Sequence, residues 1–168
     1  MSSLTSRAVT AEAKVAKGVM YRHFADFDAF LAELILDRAR QLEGPAHRLR
    51  AAVGTGTVVD NLTEALTTAF MPLTVAVVAL VITRDGLRAR LRDAGAARLP
   101  LVAETTAMVS AYLIAEQEAG RVGGTVDIEV LSPTLIGSVH MLYTNRENGP
   151  PDIEAVRQVV STVMRGAE

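Results

Sequence analysis

Apolar residues recur at helical spacing along most of the chain. The clearest stretch is 26–42, where Phe27, Phe30, Leu31, Leu34 and Ile35 share one face and Asp28, Glu33, Asp37 and Arg40 fall among the polar positions. Asp26 suits the N-cap, Asp28 the positive end of the helix dipole, and Gly44-Pro45 the stop. A helix is expected over about 57–70, and another after Pro72, since proline fits a first helical turn. An Arg-rich amphipathic segment follows at 84–94, carried by Leu87 and Leu91. Pro100 opens a long helix to about Gly120. A further helix spans about 127–145, Asn148-Gly149-Pro150-Pro151 makes a loop, and Asp152 caps a last helix to about Arg165. With no convincing strand beside them, the pattern predicts an all-α fold.

Residues 65–83 carry no charge, a length that touches the threshold for a membrane span. Thr67, Thr68, Thr74, Thr83 and the interrupting Pro72 argue instead for two buried helices, and against a membrane partner.

Residues 5–24 have a different character. They read as a short helix (5–13), a turn at Lys14-Val15-Ala16, and a second short helix (17–24). Ala8, Val9, Val15, Met20 and Phe24 are the inward candidates. Arg7 stands on the first helix, and Lys17, Gly18, Tyr21, Arg22 and His23 cluster on the second. That is a helix-turn-helix pattern with a candidate recognition helix. Lys17, Arg22 and the Tyr21 hydroxyl can contact phosphates, and Gly18 lets the helix start approach a nucleic-acid backbone closely.

Composition sharpens this picture. Hydrophobic residues make up 49% of 168, enough for a sizeable core in one domain or one domain plus a small module. There is no cysteine, which excludes disulfides, thiolate metal sites and a cysteine nucleophile. No basic segment leads into an apolar run at the N-terminus, so a cytoplasmic location is expected. Charge is uneven: residues 1–24 hold four basic residues against Glu12 alone, net +3, which leaves −5 on the remainder for a total of −2. Both lysines lie in that first segment. A basic contact module on an acidic body is the arrangement this suggests.

The run A-K-V-A-K-G-V-M-Y-R-H-F-A-D-F-D-A-F-L resembles the DNA-binding signature of the tetracycline-repressor (TetR) family of bacterial regulators. Ala13, Val15, Lys17, Gly18, Tyr21, Arg22, His23, Phe24 and Leu31 carry the match. The segments E-Q-E-A-G-R-V (116–122) and L-I-G-S-V-H (135–140) resemble the regulatory half of such proteins more loosely. The resemblance implies a DNA-binding module with its linking helix over 1–43, and an effector-binding and dimerisation domain over 44–168. It implies operator contacts by Arg7, Lys17, Gly18, Tyr21, Arg22 and His23. An apolar effector would sit among Phe70, Met71, Thr74, Met108, Tyr112, His140 and Tyr143. A homodimer seam would run along Leu135, Gly137, Val139, Val156, Val160 and Val163, on the last two helices.

Departures from the family pattern carry their own expectations. Lys14 stands where the family usually has glycine, at a left-handed position that costs a side-chain-bearing residue about 1–2 kcal/mol. Ala16 stands where Ser or Thr usually caps the recognition helix. Phe27 replaces a usual lysine. The family also has a helix before this segment, so the face formed by Ala8, Val9, Phe24, Phe27 and Leu31 is expected to lie exposed. These departures favour, as the alternative, a dimeric small-molecule-binding protein whose DNA-binding module is vestigial.

No enzyme is expected. Ser138 and His140 are two residues apart on a helix and point different ways. Asp26 and Asp28 read as capping residues, and Glu116 and Glu118 as solvated charges. Gly54-Thr55-Gly56 lacks the rest of a dinucleotide fingerprint. His140 has no ligand partners at fixed spacing, so neither a metal nor a cofactor is expected.

Overall fold

The computed structural model describes residues 5–70, 72–144 and 150–167, with the side chains of Lys17 and of residues 72–75 outside the description. Among the described residues the chain is all-α, with no strand. The helices are α1 (Ser6–Glu12), α2 (Lys17–His23), α3 (Phe27–Arg40), α4 (Glu43–Ala51), α5 (Val58–Ala69), α6 (Pro72–Thr83), α7 (Asp85–Asp93), α8 (Pro100–Glu118), α9 (Ile128–Thr144) and α10 (Ile153–Met164). None is long and apolar enough to cross a membrane among the described residues.

Local chemistry sets the boundaries. Side-chain oxygens of Thr5, Asp26, Thr57 and Asp152 accept from the backbone N–H of Ala8, Ala29, Asp60 and Ala155, and so satisfy donors that the first helical turn leaves free. At the end of α8 the chain turns back through Gly120 at φ 74°, and the Arg121 N–H reaches the Glu116 carbonyl at 2.8 Å. One boundary differs from the sequence expectation. Gly44-Pro45 does not end helical structure, because Pro45 falls in the first turn of α4, where its missing N–H has no intrahelical partner to lose.

Two apolar clusters hold the helices together. The larger joins α5, α8, α9 and α10, with Leu62, Leu66, Phe70, Val109, Leu113, Leu135, Val139, Val156 and Val160 all buried. Each such side chain contributes roughly 1.5–3 kcal/mol of burial. This corrects the expected dimer seam. Leu135, Val139, Val156 and Val160 face their own chain, since α10 lies against α5 as well as α9. Gly137 stays exposed and Val163 is half-buried.

The second cluster places Leu31 and Ile35 of α3 against Val77 and Val81 of α6, Leu87 and Leu91 of α7, and Leu101 of α8. Leu31 is therefore only 1% exposed, contrary to the expectation of an open face, because α3 packs against α7 and α8. The same packing carries a polar clasp. Arg84, just before α7, bonds Asp28 Oδ1 through Nε at 2.6 Å and lies 5.3 Å from the Phe27 ring centroid. Arg90 pairs with Asp26. Gly86 makes room for this clasp, since a Cβ there would sit 2.5 Å from Asp28 Oδ2. The start of α3 is thus fastened to α7.

Candidate functional site

The N-terminal helix pair is built on a tight connection. Lys14 takes φ 53°, the left-handed conformation expected at this position, and no other described non-glycine residue has positive φ. Its N–H bonds the Ala11 carbonyl, and the Val15 N–H bonds the Thr10 carbonyl at 3.0 Å. This turn carries the chain directly into α2, whose N-cap residue Ala16 supplies no side-chain cap. Met20 is buried beneath the pair, and Thr10 is buried with its hydroxyl donating to the Ser6 carbonyl. The Tyr21 hydroxyl donates to Ser6 Oγ at 3.3 Å, which ties α2 to the start of α1.

Most of the residues singled out for phosphate or base contact lie on one exposed pair of helices. Arg7 is exposed on α1, and Gly18, Tyr21, Arg22 and His23 are exposed on α2. A Cβ at Gly18 would meet nothing within 4 Å, so an incoming backbone has free approach. Lys17 opens α2, but its side chain lies outside the described residues. Among the described residues neither Arg7 nor Arg22 is paired with a carboxylate. His23 also borders an open groove of about 790 Å³, formed with Phe24, Phe30 and Leu34.

Of the inward candidates only Met20 is buried. Val9 and Phe24 are half-buried, Ala8 is exposed, and Val15 is 42% exposed. The reason is that α1 and α2 pack on each other and only lightly on α3. Phe27 is half-buried, stacked on Phe30 and covered by Arg84.

In the body, three of the expected effector residues meet. The Phe70 ring lies 6.2 Å from His140 and 5.7 Å from Tyr143. His140 Nδ1 is buried with no hydrogen-bond partner among the described residues. Met108 is buried in the same core cluster. Met71 and the Thr74 side chain lie outside the described residues. A hollow of about 50 Å³ between α4 and α5 is lined by Leu49, Asn61, Ala65 and Thr68, and by none of the expected effector residues.

Tyr112 turns to a different task. Its hydroxyl accepts from Asn61 Nδ2 at 2.9 Å and lies beside Glu116. Burial first, and then the neighbouring Glu116 carboxylate, push the phenol well above its ordinary range. Glu116 is the main residue that sequence reasoning misplaced. It is fully buried rather than solvated, and its carboxylate accepts from the Gly54 N–H at 3.3 Å and pairs with Arg121 Nε at 3.4 Å. Arg121 also donates to the Gly56 carbonyl at 2.6 Å, and Asn61 Nδ2 to the Thr55 carbonyl at 2.9 Å. A signal for this was present, because Val109, Tyr112, Leu113 and Glu116 share one helical face. The network fixes the α4–α5 connection against the end of α8. Glu118 is exposed, as expected.

Asp26 has its carboxyl held below the ordinary aspartate value, chiefly by the Ala29 N–H that it caps and also by Arg90. No group of three or more His, Asp or Glu side chains stands ready for a metal ion among the described residues. Comparison with protein-family models, with characterised proteins and with solved structures gives no match to this chain.

Proposed function

We propose that the chain is a DNA-binding transcriptional regulator of TetR-like organisation, a repressor that works as a homodimer in the cytoplasm and responds to a small molecule. The observation that carries the reading is the exposed α1–α2 pair. It presents Arg7, Gly18, Tyr21 and Arg22 around a left-handed turn, with both arginines free of carboxylate partners among the described residues. Tyr21, Arg22 and Lys17 supply phosphate contacts, Gly18 admits the backbone, and Arg22 and His23 reach toward base edges.

The dimer uses the outer face of α9 rather than the buried residues first expected there. Val130, Pro133, Thr134, Gly137 and Met141 form an exposed, uncharged stripe, with Val130 61% and Met141 60% exposed. Two copies then set two recognition helices against the half-sites of a near-palindrome. An effector enters by parting Phe70, His140 and Tyr143, and His140 Nδ1 offers it a hydrogen-bonding atom. The change reaches the DNA-binding pair through α7, which is clasped to the start of α3 by Arg84–Asp28 and Arg90–Asp26. The effector would act by shifting the population between two spacings of the recognition helices.

The test is Arg22→Ala titrated against the DNA upstream of its own coding sequence. The reading expects weaker binding and a shallower salt dependence than the unaltered chain. Unchanged affinity and unchanged salt dependence would sink it. A second reading, a small-molecule-binding dimer with a vestigial N-terminal module, is favoured by the uncapped start of α2 and the strained Lys14.

A further inference from the structure

From the far side of α7 we infer a binding site for a small organic anion, with a carboxylate or phosphate head and a short apolar body. A hollow of about 370 Å³ is lined by Arg88, Leu91, Arg92, Ala96, Ala97 and Arg98. Its size falls at the lower end of ligand pockets, which run from roughly 300 to 1,000 Å³.

The charge is what makes the hollow unusual. Three of its six lining residues are arginines and none is acidic, in a chain whose net charge is −2. Elsewhere around α7 the arginines are matched: Arg84 with Asp28, and Arg90 with Asp26. Arg88 is matched too. It pairs with Asp85 and donates to the Val81 carbonyl at 3.1 Å and to the Ile82 carbonyl, so it forms a fixed wall. Arg92 and Arg98 have no side-chain hydrogen bond or ion pair among the described residues. With Arg88 already matched by Asp85, Arg92 and Arg98 are the two guanidinium groups at the hollow left without a counter-charge among the described residues, and an oxyanion would supply one while taking the paired N–H donors that guanidinium presents. Leu91, Ala96 and Ala97 leave an uncharged floor for the rest of the ligand.

The sequence placed Arg88 and Arg92 on an amphipathic helix. Only the turn after α7, through Gly95 at φ 72°, brings Arg98 back to the same hollow. The site stands independently of the DNA-binding reading, because it needs neither α1 nor α2.

The test is titration of the full chain with butyl phosphate, butyrate and inorganic phosphate at constant ionic strength, read by amide chemical shifts and calorimetry. Saturable binding of butyl phosphate or butyrate is expected, with shifts centred on Ala96 and Ala97; whichever binds identifies the head group. The double variant Arg92→Gln/Arg98→Gln should weaken binding on the order of ten-fold or more, as expected for loss of charge-assisted hydrogen bonds. Arg50→Gln, an exposed arginine on α4, should leave it unchanged. Non-saturable shifts with all three probes would overturn the site. So would equal affinity in the double variant, shown to be folded by its circular dichroism.

Discussion

Replacing Lys14 with glycine should stabilise the N-terminal helix pair. Lys14 holds φ 53° in the connection between α1 and α2, where a Cβ crowds the following carbonyl at a cost of about 1–2 kcal/mol. Glycine removes that crowding but gives the unfolded chain more freedom, which offsets about 0.4–1 kcal/mol of the gain. The net should be of the order of 0.7 kcal/mol. Lys14→Ala serves as the control, because it removes the charge and keeps the Cβ. The gain should appear locally, as an approximately three-fold slowing of amide exchange in residues 6–23 relative to Lys14→Ala, if exchange there proceeds by opening of the pair. In a global melt it would raise Tm by about 3 °C at most for a chain of this size. Equal exchange rates in the two variants would refute the claim that backbone strain at this turn limits the module. Restoring the helix cap with Ala16→Ser should add about 1 kcal/mol by a separate route, since α2 begins without a side-chain cap.

Three further outcomes follow from the geometry. Arg121→Ala leaves the fully buried Glu116 carboxylate without its cation, and should destabilise the fold by on the order of 3 kcal/mol in chemical denaturation; Arg121→Ala/Glu116→Gln should recover part of that loss. Asp26→Asn keeps a capping oxygen but loses the charge pair with Arg90. Because the Asp26 pKa is lowered on folding, its contribution is present above the ordinary aspartate value of 3.8 and is lost as pH falls below it. The melting difference between the unaltered chain and Asp26→Asn should therefore shrink as pH drops from about 6 to about 3. Met141→Glu, placed in the uncharged stripe of α9, should convert the proposed dimer to monomer in analytical ultracentrifugation with little change in melting, whereas Val139→Glu should unfold the chain, since Val139 is buried.

Much of the architecture was legible because it rests on local rules. Asp26 and Asp152 cap the helices that they were expected to cap, and the periodicity of 26–42 became α3 within two residues at either end. The left-handed position at Lys14 was anticipated through the resemblance to the TetR pattern, in which glycine is usual there, and not from the local pattern, which gave only a turn. What failed depended on which neighbour covers a face, and helical spacing alone does not say that. Leu135, Val139, Val156 and Val160 belong to an apolar stripe whose partner turned out to be α5 of the same chain. Leu31 was expected in the open and is buried where α3 packs against α7 and α8. Glu116 was judged by its residue type, although its place on the Val109–Tyr112–Leu113 face put it inside. The arginine-lined hollow depends on the turn at Gly95, a long-range consequence that periodicity does not carry.

The central claim is that α1 and α2 form a working DNA-binding surface. The most direct measurement is the affinity of the unaltered chain for the DNA upstream of its coding sequence across a range of salt, beside unrelated DNA of equal length. A dimer using Arg7, Lys17 and Arg22 from each copy neutralises up to about six phosphates, so log affinity should fall with log salt at a slope of roughly −5. Preference for the upstream fragment with a slope of that order is the predicted result. Equal, weak binding to both DNAs would contradict the claim and leave the small-molecule-binding reading in its place.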